Sequence, residues 1–329
     1  MVVGLLLNNW GTWGGSATYH MALIRGLQSR GHQVNVALPF KAELWDVPKD
    51  IKFAVGQSAS IRAMQASSSW IVWGVGHKLK FSYFIRRKRT RPRIVAINHG
   101  SSDNKWSCKC MANESPHADT VVGVSADSLM AIPDPHRSKG RIIYGPVDRD
   151  RLAPVVSAKL MRESLGIEPN TKVLLYCGRI SPEKRVERAI EAMRYMPEDW
   201  KMLVVGASSS HIDPSILYNN FKVQFCGPTL TPGDYLQLAN CTISPSNSEG
   251  FGLSVIEAMI AGKPTVAHKV GILQELDVGT ILPMDATPSQ YAAAVLRATK
   301  ETDKASRDQA MLSSMFTVES FIDQWISIL

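Results

Sequence analysis

The chain has 329 residues, of which 45% are apolar and 20% charged, and a net charge of +8. That length predicts two domains, each large enough to bury its own core, and the composition excludes a disordered or low-complexity chain. No stretch approaches the roughly 20 continuous apolar residues of a membrane span, and five scattered cysteines argue against a disulfide framework and for a reducing compartment.

The charge is unevenly shared. Residues 1–148 hold 19 Lys and Arg against 9 Asp and Glu, a net +10, whereas residues 149–329 hold 18 against 20, a net −2. The basic excess belongs to the first half and bears on its partners, not on its fold.

Residues 1–7 are too short and lack the basic start of a signal segment, so they read as a first buried strand. The glycine-rich turn Asn8-Asn-Trp-Gly-Thr-Trp-Gly-Gly-Ser16 follows. A helix then carries Tyr19, Leu23, Ile24 and Leu27 on one face, and Gly31-His32 ends it before a strand with Val34, Val36 and Leu38. This βαβ opening lacks Gly-x-Gly-x-x-Gly and so is not a dinucleotide fingerprint. By itself, the pair Gly14-Gly15 suits a plain tight turn as well as a backbone approaching a phosphate.

Short strands are predicted at 51–55 and 70–75. The run Phe81-Ser-Tyr-Phe-Ile-Arg-Arg-Lys-Arg-Thr-Arg-Pro-Arg93 holds six basic residues, Arg86, Arg87, Lys88, Arg89, Arg91 and Arg93. It suits an anionic membrane surface, a nucleic-acid backbone or simply a solvated helix end. The strand at 94–97 leads to His99-Gly100, at the carboxyl end where open α/β sheets bind ligands. Residues 101–114, with Trp106 and Cys108-Lys-Cys110, form a candidate acceptor loop. One residue between two sulfurs, with no second pair, makes a poor zinc signature and reads as two loop thiols. A strand is predicted at 120–125, and residues 141–148 carry the chain to the boundary between the halves.

The second half opens with the strand 173–177 and Gly178-Arg-Ile-Ser-Pro-Glu-Lys184. Ser181 and Pro182 read as the cap and first turn of a helix over 186–193. An Arg fork and a Lys point charge in one crevice can hold a diphosphate. Strands are predicted at 202–206, 223–227 and 241–243. After the last comes Ser244-Pro-Ser-Asn-Ser-Glu-Gly-Phe-Gly-Leu-Ser-Val-Ile-Glu-Ala-Met-Ile-Ala-Gly262, a loop that becomes a helix from about Gly252. Its glycine-lined N-terminus suits a phosphate, and the carboxylates of Glu249 and Glu257 can accept hydroxyl hydrogen bonds. Strands at 265–267 and 281–282 follow, then an amphipathic last helix with Phe316, Phe321, Ile322, Trp325 and Ile326.

Glu249-Gly-Phe-Gly-Leu-Ser-Val-Ile-Glu257, extended through Gly262-Lys-Pro-Thr-Val-Ala267, resembles the Glu-x7-Glu motif of retaining GT-B glycosyltransferases. Gly178-Arg-x4-Lys184 resembles the diphosphate-binding pair of that family, and Gly14-Gly15 its first turn. The resemblance implies an α/β GT-B fold. Two Rossmann-like domains, 1–150 for the acceptor and 151–313 for the nucleotide sugar, would face each other across a cleft, and a terminal helix at 314–329 would return to the first.

It also implies roles. Donor contacts fall to Gly14, Gly15, Gly178, Gly227, Gly250, Phe251, Gly252, Leu253 and Ser254. Arg179 and Lys184 would stabilise the departing diphosphate, Glu249 would hold sugar hydroxyls, Glu257 the ribose hydroxyls, and His99 would lie over the sugar. The expected co-substrate is a UDP-sugar with no other cofactor and no metal, since cationic side chains take the metal's place. With no placed carboxylate nucleophile, same-face displacement is the expected route. The basic half suits an anionic acceptor, either a lipid-linked or polysaccharide acceptor at a membrane surface or hydroxylated bases of phage-type DNA. A nucleotide-sugar 2-epimerase is the alternative of another class. The expected location is cytoplasmic, peripheral on the inner membrane surface.

Overall fold

A computed structural model describes residues 1–8, 14–39, 51–74, 91–208 and 222–329. The chain divides into two compact units, Met1–Pro146 with Val318–Leu329, and Val147–Thr317.

The first unit is built on β1 (Val2–Leu7), β2 (Gln33–Leu38), β3 (Phe53–Val55), β4 (Ser69–Trp73), β5 (Arg93–Asn98), β6 (Thr120–Gly123) and β7 (Gly140–Ile142). Their order across the sheet is β3-β2-β1-β4-β5-β6-β7, and every pairing is parallel. Parallel sheets are covered on both faces, so their strands are continuous apolar runs. Leu5, Leu6 and Leu7 in β1 are all completely buried, as are Ile94 to Ile97 in β5. The helix Gly15–Ser29 buries Tyr19, Leu23, Ile24 and Leu27 as its periodicity predicts. Gly31, at φ +78°, supplies the left-handed stop that the following strand needs.

The terminal helix Val318–Ile328 packs on Gly15–Ser29 within this unit. A Cβ at Gly26 would sit 2.1 Å from Ile322 Cδ1, so the missing side chain is what lets the helices approach. Trp325 Nε1 donates to Tyr19 Oη, which donates to the Ile143 carbonyl, both at 3.1 Å. Ser69 Oγ donates to the Leu329 carbonyl and Arg93 Nε to that of Ile328.

The second unit holds β8 (Lys172–Cys177), β9 (Trp200–Val205), β10 (Val223–Gly227), β11 (Cys241–Ser244), β12 (Thr265–His268) and β13 (Thr280–Leu282), in the order β10-β9-β8-β11-β12-β13. These pairings too are parallel. Both sheets are therefore doubly wound, with the order reversing at β1/β4 in one and β8/β11 in the other.

Several local expectations need correction. Residues 101–114 are mostly not a loop: Asn104 caps a helix, Lys105–Glu114, by accepting from Ser107 N, and both thiols lie on that helix, with Cys110 buried. Ser181 makes no cap hydrogen bond. It precedes a 3-10 turn, Pro182–Lys184, that breaks at Arg185 (φ +52°) before the α-helix Val186–Ala192 begins. Phe316 is not part of the last helix but ends Thr302–Met315 and packs inside the second unit. The chain changes units at Pro146 and Thr317, where Val147 N donates to the Phe316 carbonyl.

Candidate functional site

The predicted residues fall into one group in each unit. In the second unit the group lies where the sheet reverses. β8 and β11 are neighbours, with Cys241 opposite Leu174 and Thr242 opposite Leu175. The loops leaving their carboxyl ends therefore meet, and such a switch point is where doubly wound sheets leave a crevice.

After β8 the chain passes Gly178, against which the end of β9 is pressed: a Cβ at Gly206 would stand 1.8 Å from the Gly178 carbonyl oxygen. Tyr176 Oη donates to the Arg179 carbonyl at 2.5 Å and fixes the turn. The tight turn 182–184 then leaves Lys184 before the helix proper, and its Nζ meets Glu249 Oε2 at 2.6 Å. Both side chains are mostly enclosed, 17% and 11% exposed. Asn247 N donates to the Glu183 carbonyl at 2.9 Å, so the two motif loops are also joined through the backbone.

Arg179 is half-exposed and pairs with Glu183 Oε1 at 3.2 Å. The same oxygen accepts from Ser181 Oγ at 2.7 Å. Burial pushes the Glu183 carboxyl up, but the Ser181 hydroxyl and the Arg179 and Lys184 charges outweigh it and hold the group below its ordinary value. Burial raises the Tyr176 phenol well above its usual range, with the nearby Glu249 acting in the same direction.

The motif helix is Leu253–Ile260, entered through Gly252 at φ +97° with no side-chain cap. A helix start leaves its first N–H groups without helical partners and carries partial positive charge. Here those groups belong to Leu253 and Ser254, beside the glycines at 250 and 252. Phe251 is 8% exposed and its ring meets Phe316 edge-on at 5.5 Å. Ile272 N donates to the Phe251 carbonyl at 2.9 Å and holds the loop in place. Glu257 is 5% exposed and is ion-paired with Arg151. Gly227 ends β10 at φ +72°.

In the first unit, His99 follows β5 and lies among aromatic rings. Tyr19 meets it edge-on at 4.8 Å and Trp73, from the end of β4, at 5.4 Å. Its Nε2 is 3.1 Å from Nε2 of His20. Burial lowers the His20 imidazole to about 3, and burial, then the neighbouring His20, lowers His99 well below its ordinary value. Both rings are neutral at pH 7, and one nitrogen donates to the other. Gly14 is the extended residue before the helix Gly15–Ser29, and its carbonyl accepts from Ala17 N and Thr18 N.

Of the basic run, Arg86, Arg87, Lys88 and Arg89 lie outside the described residues. Arg91 pairs with Asp119 at 2.6 Å, and Arg93 binds the last helix as described above. These two exposed cations are thus already engaged within the first unit. Among the described residues no cluster of His, Cys, Asp or Glu could hold a metal ion, and no helix is long and apolar enough to cross a membrane.

Sequence reasoning missed Arg151, His20, Glu183 and Trp73. Glu183 lies inside the quoted motif and was legible there. The others owe their place to contacts between distant segments, and no local spacing marks them.

Comparison with known proteins gives a consistent picture. The family model described as glycosyl transferases, group 1, matches residues 157–307. D-inositol 3-phosphate glycosyltransferase 2 of Catenulispora acidiphila is 33% identical over 210 residues, 54% of this chain and 48% of that protein. Lipopolysaccharide core biosynthesis mannosyltransferase LpsB of Rhizobium meliloti is 25% identical over 173 residues, 49% of this chain and 48% of that protein. The chain thus spans about half the length of these sequence relatives. The crystal structure of Anabaena HepE in complex with UDP-glucose superposes with a TM-score of 0.80 at 19% identity, over 99% of this chain and 100% of that one. The fold is that of the GT-B glycosyltransferases.

Proposed function

We propose, from the match of residues 157–307 to the family model of the group 1 glycosyl transferases, that the chain transfers a sugar from a UDP-sugar to an anionic acceptor with retention at the anomeric carbon. The observation that carries this reading is the meeting of Lys184 and Glu249, 2.6 Å apart, at the reversal point of the second sheet. A cation for phosphate and a carboxylate for hydroxyls stand side by side there, next to the bare helix start at Gly252.

In the proposed reaction the bond from the anomeric carbon to the diphosphate oxygen breaks through an oxocarbenium-like state. The acceptor oxygen bonds to the same face, and its proton passes to the departing diphosphate. Negative charge grows on that leaving group, and stabilising it is the main catalytic task. Lys184, Arg179 and the N–H groups of Leu253 and Ser254 are assigned to it in the second unit, with the Gly15 backbone in the first. Glu249 takes the sugar hydroxyls and Glu257 the ribose hydroxyls. His99 is assigned to the donor sugar, and no metal is required because fixed cations do its work.

UDP is favoured as carrier because the HepE complex contains UDP-glucose. An anionic acceptor, lipid-linked or polysaccharide, is favoured by the +10 first half. It is also favoured by the relatives' names, one carrying inositol 3-phosphate and the other lipopolysaccharide core.

The test is turnover of UDP-glucose, followed by UDP release and by the anomeric proton signal of the product. Retention of the α configuration is expected. Arg179→Ala and Lys184→Ala should each lower kcat by about 10²–10³, the usual cost of one fixed transition-state charge. Full turnover in both variants, or an inverted product, would overturn the proposal.

A further inference from the structure

Glu257 is the fifth residue of the motif helix that follows Gly252, and its carboxylate is almost wholly buried, with 7% of the side chain exposed. A buried carboxylate tends to take up a proton, and a protonated one offers a donor where hydroxyls need an acceptor. The chain places one cation against it. Arg151 lies on the short helix Arg149–Leu152, just after the chain enters the second unit, and its Nη1 is ion-paired with Glu257 Oε1. That helix is itself anchored, since Asp148 caps it by accepting from Asp150 N at 3.0 Å. The pair closes a span of 106 residues, so the placement of Arg151 depends on the folded unit and not on local sequence.

We propose that Arg151 is a positioning residue of the nucleotide site. Its guanidinium occupies Glu257 Oε1, keeps the buried carboxylate ionised, and leaves Oε2 to accept the ribose hydroxyls. This rests on the assignment of Glu257 to the ribose. Among the described residues, the ionisable groups that act on Glu257 are Arg151 and Asp148 from the entering segment and the Cys177 thiol at the end of β8. Burial pushes the Glu257 carboxyl up, Arg151 works against this, and Asp148 adds a little to the rise. The thiol, pushed up to about 12 by burial and then by Glu257, is uncharged at neutral pH. Arg151 is thus the one cation in this set. Without it the carboxyl protonates at higher pH, and nucleotide binding becomes linked to proton uptake.

The experiment has two arms. In the first, the nucleotide-free chain carries 13C-carboxyl glutamate, and the Glu257 signal is identified by its loss in Glu257→Gln. The Glu257 titration midpoint should rise by about one pH unit or more in Arg151→Met, the usual effect of losing a close opposite charge, and return toward wild type in Arg151→Lys. An unmoved midpoint overturns the proposal.

In the second arm, calorimetry measures UDP affinity about one pH unit below the midpoint found for Arg151→Met, and at pH 8. Arg151→Met should weaken binding more at the lower pH than at pH 8, by about five- to tenfold for a midpoint shift of about one unit or more. An equal loss at both pH values would mean a merely structural role and would overturn the proposal too. Glu257→Gln separates this inference from its premise. If that variant binds UDP as wild type does, the ribose assignment fails. If it binds weakly while Arg151→Met leaves the midpoint unmoved, only the role of Arg151 fails. Should Arg151→Met not fold, Arg151→Gln and Arg151→Lys carry the same comparison.

Discussion

Lys184 and Glu249 lie 65 residues apart in sequence and 2.6 Å apart in space, and each was marked as functional by its own motif before the fold joined them. Glycines, charges and their spacing mark such residues because the proposed phosphate site requires a bare backbone and a fixed cation. Arg151 and His20 carry no comparable mark. Each becomes legible only through its partner, Glu257 or His99, and the partner lies across the fold. His20 also yields a prediction. Its imidazole is lowered to about 3 by burial, against about 6.5 in an unfolded chain. Below about pH 6.5 the unfolded chain takes up protons that the folded unit refuses, so this contribution to stability is full above that pH and is lost as pH falls toward 3. The slope is up to about 1.4 kcal/mol per pH unit for each such histidine, and His99 is shifted the same way. Urea unfolding of the first unit, read by tryptophan fluorescence at pH 7 and pH 5, should show this loss, and His20→Gln should reduce it. Equal pH dependence in the variant would contradict the assignment. In the second unit Glu257, raised by burial, acts in the opposite direction, so the comparison must be made on first-unit signals.

At the scale of elements, the strands and the first helix were legible because buried parallel strands are unbroken apolar runs and helices repeat every three to four residues. Boundaries were less legible where a turn with its own chemistry intervened. The 3-10 turn at Pro182–Lys184 and the left-handed Arg185 replaced an ordinary helix start. Asn104, by capping Lys105–Glu114, converted a polar stretch with little periodicity into a helix. Close approach of elements was invisible in the sequence, and glycine shows it best. Gly206 and Gly227 end neighbouring strands and are joined by a Gly206 N to Gly227 O bond of 2.8 Å. A Cβ at Gly227 meets nothing within 4 Å, whereas one at Gly206 would lie 1.8 Å from the Gly178 carbonyl oxygen. Gly227→Ala should therefore cost only the left-handed backbone penalty, about 1–2 kcal/mol. Gly206→Ala should cost clearly more, because the backbone at Gly178 must move. Urea midpoints of the two variants measure this, and a reversed order would refute the packing argument.

On the scale of the whole molecule, the two units divide the charge as well as the chain. The basic half contains Met1–Pro146, and its sheet is tied to the terminal helix by Tyr19, Trp325 and Arg93. The near-neutral half contains the paired motifs. The doubly wound plan of each half was legible from alternating strand and helix patterns, and the return of the last helix followed from the family resemblance. At the exchange points, Pro146 and Thr317, a backbone bond from Val147 to Phe316 joins the two crossing segments, and no sequence pattern announces it. The proposed activity rests on a phosphate grip at the β8/β11 reversal. A crystal structure of the protein with UDP tests it most directly. The diphosphate should lie within hydrogen-bonding distance of Lys184 Nζ and the Leu253–Ser254 backbone, with the ribose on Glu257. UDP bound elsewhere on the second unit, with Lys184 still paired only to Glu249, would contradict it.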